Sequence, residues 1–265
     1  MKLNTHLVEK PWGRKDIPAA FGAVGARQIG EIWYESPDQS ALPLLVKWLF
    51  TSEKLSIQVH PNDEQAKQRG LVSGKEECWF VVHAEPGAML GIGTKQPLGA
   101  EELRKAALSG EIEQQMDWKP VSAGEFYYIP AGTVHAIGAG VILIEVQQYA
   151  DVTYRLFDYG RPRELHLDDG VEVSVAAPYA DARSGRATAG QKLVDGPHFQ
   201  LWYIDKAEQL AGLNAASSFF VVPLAGQITT AVETGSVGDC LMINNLHDLA
   251  LSGEGRCLMA CATVQ

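Results

Sequence analysis

The run Leu55-Ser56-Ile57-Gln58-Val59-His60-Pro61 alternates apolar and polar side chains and then stops at a proline. Successive side chains of a strand point to opposite faces. Ser56, Gln58 and His60 therefore share one face, and Leu55, Ile57 and Val59 take the other. An amide and an imidazole side by side on the inner face of a β-structure suggest a metal site. A second segment, Gly124-Glu125-Phe126-Tyr127-Tyr128-Ile129-Pro130-Ala131-Gly132-Thr133-Val134-His135, runs a strand into a tight Pro/Gly turn and delivers a histidine at the start of the next strand. Glycine allows the positive backbone angles such a turn uses. Glu145 lies within Val141-Ile142-Leu143-Ile144-Glu145-Val146-Gln147. A carboxylate among so many apolar neighbours needs a partner or a task.

The elements that must position these residues are mostly strands. Leu44–Phe50, Leu55–Val59, Cys78–Val82, Glu125–Ile129 and Val141–Gln147 are short runs rich in β-branched and aromatic residues, punctuated by Gly, Pro, Asp and Asn. That pattern predicts an all-β barrel or sandwich. Two helices interrupt it. Asn62–Arg69 has Asn62 as N-cap and Gly70 as its stop, and Gly99–Gln115 is rich in helix formers with Leu103, Ala106, Ala107 and Leu108 along one side. Polarity rises over Tyr179–Lys192, which marks a connector. Beyond it a second β-rich block is expected: Phe199–Ile204, Ser217–Leu224, Gln227–Val232, Cys240–Ile243 and Leu258–Thr263.

At 265 residues the chain can bury a large core in one or two domains. Its net charge of −10 argues against a nucleic-acid surface but permits an anionic small molecule, because a few local cations outweigh a global field. No stretch has the roughly 18 apolar residues of a membrane span, and the N-terminal residues carry no signal-peptide core. A cytoplasmic protein is expected, either a monomer or a small homo-oligomer. Cys78, Cys240, Cys257 and Cys261 form no Cys-x-x-Cys pair and read as reduced, partly buried thiols.

The Gly-x5-Pro-x-Gly-x2-His spacing of residues 124–135 resembles the second motif of cupins, small β-barrels that hold a metal in the barrel mouth. With Gln58, His60 and Gly74-Lys75-Glu76-Glu77-Cys78-Trp79, it is similar to one family in particular, the type I mannose-6-phosphate isomerases. Pro11-Trp12-Gly13, Gly30-Glu31-Ile32-Trp33, Leu42–Lys47 and the stretch Glu145–Leu156 resemble further signatures of that family, over roughly residues 8 to 175. Two positions depart from its pattern. Trp12-Gly13-Arg14 replaces Trp-Gly-Gly, and Ala150 replaces a serine. Both bear on sugar and phosphate contacts rather than on the metal.

The resemblance implies a cupin (jelly-roll) barrel over residues 1–185, with a short helical insert at about 97–118, and a degenerate, metal-free barrel over 186–265. It implies one Zn²⁺ per chain, held by Gln58, His60, Glu77 and His135, which are nitrogen and oxygen donors of the kind zinc takes. The expected reaction interconverts mannose 6-phosphate and fructose 6-phosphate through an enediol. Lys75 and Glu145 are the acid–base candidates, Arg155 stabilises charge, and Lys47 and Ser56 lie toward the phosphate. Which group takes the proton stays open, a zinc-bound hydroxide included.

Plainer readings stand beside these. Lys47 and Lys75 would by default be solvated lysines, and Arg155 and Asp158 a surface ion pair. His83 shares a strand face with Glu77, Trp79 and Val81 and is a rival ligand. His6, His166, His198 and His247 receive no role. The alternative functions are a non-catalytic sugar-phosphate-binding cupin and an Fe²⁺-dependent cupin dioxygenase. The latter is disfavoured by Gln58 and the nearby cations.

Overall fold

The computed structural model describes residues 1–213, 218–244 and 246–263. It is mainly β, as the sequence predicts. In chain order the first strands are β1 (Asn4–Arg14), β2 (Ile29–Glu35), β3 (Leu44–Phe50) and β4 (Ile57–Val59), followed by helix α1 (Asp63–Gln68). Next come β5 (Glu77–Ala84), β6 (Met89–Thr94), helices α2 (Ala100–Ser109) and α3 (Ile112–Gln115), β7 (Met116–Pro120) and β8 (Glu125–Ile129). Then follow β9 (His135–Ile137), β10 (Val141–Gln148), β11 (Tyr154–Phe157), α4 (Leu167–Val173) and β12 (Ser184–Arg186). The remaining strands are β13 (Lys192–Asp195), β14 (Phe199–Ile204), β15 (Phe219–Thr229), β16 (Thr234–Ser236), β17 (Leu241–Ile243) and β18 (Ala250–Ala262). No helix among the described residues is long and apolar enough to cross a membrane.

Three sheets result. A seven-stranded sheet has the order β1-β2-β3-β10-β5-β8-β12, and a five-stranded sheet the order β11-β4-β9-β6-β7. Strands β13 to β18 form the third. Alternation along the strands explains the layering. From β5, Trp79 and Val81 join an inner cluster with Leu143 of β10, Leu90 and Ile92 of β6 and Ile137 of β9, so the first two sheets face each other there. The alternate residues Cys78, Phe80, Ile144 and Val146 point the other way and pack with Phe199, Leu201, Phe220 and Val222 of the third sheet. Ile57 and Val59 lie on the outer side of the five-stranded sheet with Leu103, Ala106 and Ala107 of α2 and Val173 of α4. The helices thus cover that sheet's second face, which would otherwise meet water.

Several expectations shift in detail. Regular pairing in the Leu55–Val59 run starts only at Ile57, so Leu55 joins the inner cluster instead of pointing outward with Ile57 and Val59. The helix expected over Gly99–Gln115 breaks at Gly110 into α2 and α3. α1 forms as expected: Asn62 Oδ1 accepts the Gln65 N–H and Gln65 Oε1 accepts the Asn62 N–H, a reciprocal cap. The two strands expected at Ser217–Leu224 and Gln227–Val232 are one bulged strand, β15, that ends at Thr229. Ser217 lies outside the described residues. The connector is no free linker, because its β12 pairs with β8 and adds a strand to the first sheet.

Candidate metal centre and active site

The five-stranded sheet brings Gln58 and His135 directly opposite each other, as partners on β4 and β9. His60 follows β4 by one residue, and its carbonyl accepts the Gly132 N–H at 2.8 Å. That bond ties the two histidine-bearing segments together. Gly132 has φ +82°, the left-handed angle that the Pro/Gly turn calls for. Glu77 comes from the opposite sheet, at the start of β5, beside Gln147 of β10.

These side chains converge. His60 Nε2 lies 3.5 Å from Glu77 Oε2, and His135 Nε2 lies 3.4 Å from Glu77 Oε1. The three candidate ligand atoms of His60, Glu77 and His135 all lie within 4.8 Å of one another, and the residues are buried. Atoms bound about 2.1 Å from one ion at tetrahedral angles stand roughly 3.4 Å apart, so the two histidine–carboxylate distances are those of a zinc-sized centre. Both Glu77 carboxylate oxygens are buried; Oε1 has no hydrogen-bond partner, and Oε2 has the Lys75 ammonium 2.9 Å away. That ammonium is shared with Glu145, so one buried carboxylate oxygen stays bare, and a cation bound beside it would offset the cost. The His135 Nδ1–H donates to the Thr133 carbonyl at 2.8 Å, which turns the Nε2 lone pair toward the cluster.

Gln58 completes the set. Its Nε2 is 3.4 Å from His135 Nε2, and its Oε1 accepts from Ser56 Oγ at 3.0 Å. A half-turn of the amide brings Oε1 to the metal side. Ser56 tolerates either end, since a hydroxyl both donates and accepts. His83 is not part of the cluster: a bulge between its pairing with Ile142 and that of Val81 with Leu143 takes it out of phase, and it is exposed.

Beside the cluster runs a line of buried charges. Lys75 Nζ lies 2.9 Å from Glu77 Oε2, 3.2 Å from His60 Nε2 and 3.8 Å from Glu145 Oε1. Lys47 Nζ lies 3.2 Å from Glu145 Oε1, and the Trp79 indole donates to Glu145 Oε2 at 3.0 Å. Lys47 and Lys75 are 3% and 5% exposed, so neither is the solvated lysine of the default reading. Burial lowers the basicity of both imidazoles, and the nearby ammonium of Lys75 adds to it; His135 falls to about 4. Both rings are therefore neutral, the form that ligates metal. Burial also acts on the carboxylates, but the outcomes diverge. It raises Glu77, helped by the Glu145 charge. Glu145 ends low because Lys75, Lys47 and the indole outweigh burial. Lys75 is pulled down by burial, yet Glu145 and Glu77 hold it protonated.

A cavity of about 290 Å³ opens onto this line, at the small end of ligand sites. Ser56, Gln58, Lys47, Lys75, Glu145 and Arg155 line it. The structure thus brings together every site residue named from the sequence. Arg155 does not pair with Asp158. Asp158 instead binds Arg161 and Arg163, while the Arg155 Nε–H donates to the Glu164 carbonyl. Lys10, Lys47, Lys75, Arg155 and Arg163 put five cations on the cavity wall of a protein with net charge −10. Sequence reasoning gave no role to Lys10, Trp12, Glu31, Asp151, Thr153, Arg163 and His166, which also line it. The signal for four of them was present: Trp12, Glu31, Asp151 and Thr153 sit in the segments that carry the family resemblance. His166 had none. Its Nδ1 accepts the Arg155 N–H at 3.2 Å across a loop.

Residues 25–80 match the family described as phosphomannose isomerase type I, catalytic domain. The chain is 34% identical over 220 residues to the mannose-6-phosphate isomerase of Streptococcus mutans serotype c, covering 78% of this chain and 69% of that one. Among solved structures, the mannose 6-phosphate isomerase from Bacillus subtilis matches with a TM-score of 0.79 at 24% identity, over 99% of both chains. A mannose 6-phosphate isomerase bound with zinc and yttrium matches with a TM-score of 0.74 at 15% identity, again over 99% of both. At those identities the structural likeness is one of fold.

Proposed function

The chain belongs to the mannose-6-phosphate isomerase family, and we propose that it interconverts mannose 6-phosphate and fructose 6-phosphate with a zinc ion held by Gln58, His60, Glu77 and His135. The observation that carries this reading is the Glu77 carboxylate. It is buried, its Oε1 has no hydrogen-bond partner, and it is flanked at 3.4 and 3.5 Å by two neutral imidazoles beside a cationic cavity. A zinc ion bound there supplies a Lewis acid for the sugar's carbonyl and hydroxyl oxygens.

The chain's own residues do the rest. Isomerisation removes a proton from C2 and returns one to C1, while O1 gains a proton and O2 loses one. Glu145, held ionised by Lys75, Lys47 and Trp79, can accept a proton. Lys75, held protonated, can donate one to the developing enediol oxygen. Both are buried, so water competes little for either. Arg155 offers a fixed positive charge on the cavity wall, and Lys47 and Ser56 serve the phosphate end. A cytoplasmic setting agrees with four cysteines of which none is in a disulfide.

The test is conversion of mannose 6-phosphate to fructose 6-phosphate by purified protein, with chelation and zinc add-back. Turnover that is lost on chelation and restored by zinc is the expected result. A zinc-loaded protein that binds the sugar phosphate without exchanging the C2 proton would reduce the site to a binding role.

A further inference from the structure

Lys75 and Glu77 reach the cavity and the metal cluster, and the residue between them turns away. Neighbours in extended chain face opposite sides, and the Glu76 carboxylate points back toward the third sheet. There the Tyr128 hydroxyl donates to Glu76 Oε2. His198, in the turn between β13 and β14, stands 3.9 Å from Glu76 Oε1 and 3.7 Å from Asp63 Oδ2. Arg183 lies over the Tyr128 ring, 3.9 Å from its centroid. The backbone of the segment is tied as well. The Gly74 N–H donates to Asp63 Oδ1 at 2.7 Å and the Lys75 N–H to the Pro61 carbonyl at 3.0 Å. The Glu76 N–H donates to Gln148 Oε1 at 2.9 Å, and Gln148 Nε2 donates to Asp63 Oδ1 at 2.9 Å.

We propose that Glu76 is a positioning residue: held from behind by the Tyr128 hydroxyl, with His198 of the third sheet standing beside it, it sets the Lys75 ammonium and the Glu77 carboxylate at the metal centre. This rests on the reading of the site given above. The backbone bonds fix the height of the segment, and the Glu76 side chain fixes its rotation. A catalytic constellation tolerates about 0.5 Å of error, and Lys75 Nζ is already in contact with both Glu77 and His60. Loss of the Glu76 carboxylate also leaves the Tyr128 hydroxyl, in a fully buried residue, without its acceptor. None of the four proposed zinc ligands lies in the third sheet, yet the Tyr128 and Glu76 side chains turn toward it, so the layer behind the site bears on the chemistry through them.

The experiment compares wild type with Glu76→Ala, Glu76→Gln and Tyr128→Phe. Two readouts are taken: zinc affinity by chelator competition, and kcat and KM for mannose 6-phosphate. Glu76→Ala is expected to weaken zinc about tenfold, the range for partners that orient a ligand. Its kcat should fall by about tenfold with KM nearly unchanged, because Lys47, Ser56 and Arg155 stay in place. Glu76→Gln keeps an acceptor for Tyr128 and should track wild type. Tyr128→Phe should move in the same direction as Glu76→Ala, and the double variant should add little, since one interaction is lost in both. Wild-type zinc affinity and kcat in Glu76→Ala would overturn the proposal, and so would a Gln variant as impaired as the Ala variant. Should Glu76→Ala fail to fold, Tyr128→Phe removes a single oxygen and decides the matter alone. Absence of turnover in zinc-loaded wild type would sink the proposed reaction, while the ratio of zinc affinities would still settle the role of Glu76.

Discussion

At the scale of the residue, the site is a row of charges that neutralise one another in a dry place. Lys47, Glu145, Lys75 and Glu77 alternate in sign, and each is at most 5% exposed. Truncating one member leaves its neighbour buried and unpaired, which costs about 3–5 kcal/mol. Isosteric changes separate chemistry from folding. Lys75→Met should retain zinc and lower kcat by about 10² to 10⁴, the range for a lost general acid or base. His135→Ala should lose zinc and turnover together. Metal analysis beside steady-state kinetics checks both. Wild-type kcat in Lys75→Met would remove Lys75 from the proton transfers, and full activity of metal-free His135→Ala would remove the metal from the reaction. The sequence disclosed these residues unevenly. Gln58 and His60 announced themselves by strand phase, and Glu145 by its apolar neighbours. Lys47 and Lys75 did not, because nothing local distinguishes a buried lysine from a solvated one. Their burial comes from partners 98 and 70 residues away, on β10. His166 and Arg163 were invisible for a related reason: a loop places them, without periodicity.

At the scale of the element, strand starts and turns hold the site. The ligands stand at or just past strand ends: His60 after β4, Glu77 opening β5, His135 opening β9. Gly74 shows how tightly one such end is packed. A Cβ there would lie 2.4 Å from the Asn62 carbonyl carbon and 2.6 Å from the Asp63 nitrogen, both backbone atoms that cannot swing aside. Gly74→Ala should therefore cost about 1–3 kcal/mol, as overpacking does, and should lower the thermal midpoint. Because the displaced backbone leads straight into Lys75, kcat should drop below what the lost stability explains. Wild-type melting and turnover would show that α1 moves freely against this segment. The first five strand runs were legible because they alternate or are continuously apolar. The break at Gly110 and the fusion of two runs into β15 were not, because bulges and left-handed turns are decided by what the strand packs against.

At the scale of the whole molecule, the seven-stranded sheet is covered on both faces, by the five-stranded sheet on one side and by the third sheet on the other. Phe199, Leu201 and Phe220 share a cluster with Phe80, Tyr128 and Trp48, all of them buried. Phe199→Ala should cost about 3–5 kcal/mol. If that cluster binds the layers into one cooperative unit, the variant lowers the midpoint of a single transition, and activity vanishes with the far-ultraviolet circular dichroism. Two separated transitions, with activity surviving the first, would make the third sheet an independent unit. The composition of the second block showed that it would be β. Its role as a lid over the back of the first sheet was hidden, since a strand's sequence gives its faces but not what meets them.

The four buried thiols allow the molecule's opening to be timed. Cys78 lies on β5, one residue from Glu77, and Cys240, Cys257 and Cys261 lie in or beside the strands of the third sheet; all four are buried and in no disulfide. Burial raises the Cys78, Cys240 and Cys257 thiols well above their usual range, so the reactive thiolate is suppressed while the protein stays closed. A water-soluble alkylating reagent therefore acts as a clock. With reagent in enough excess to outrun reclosing, each thiol is marked at the rate at which its own layer comes apart, and peptide mapping reads the four times from one sample.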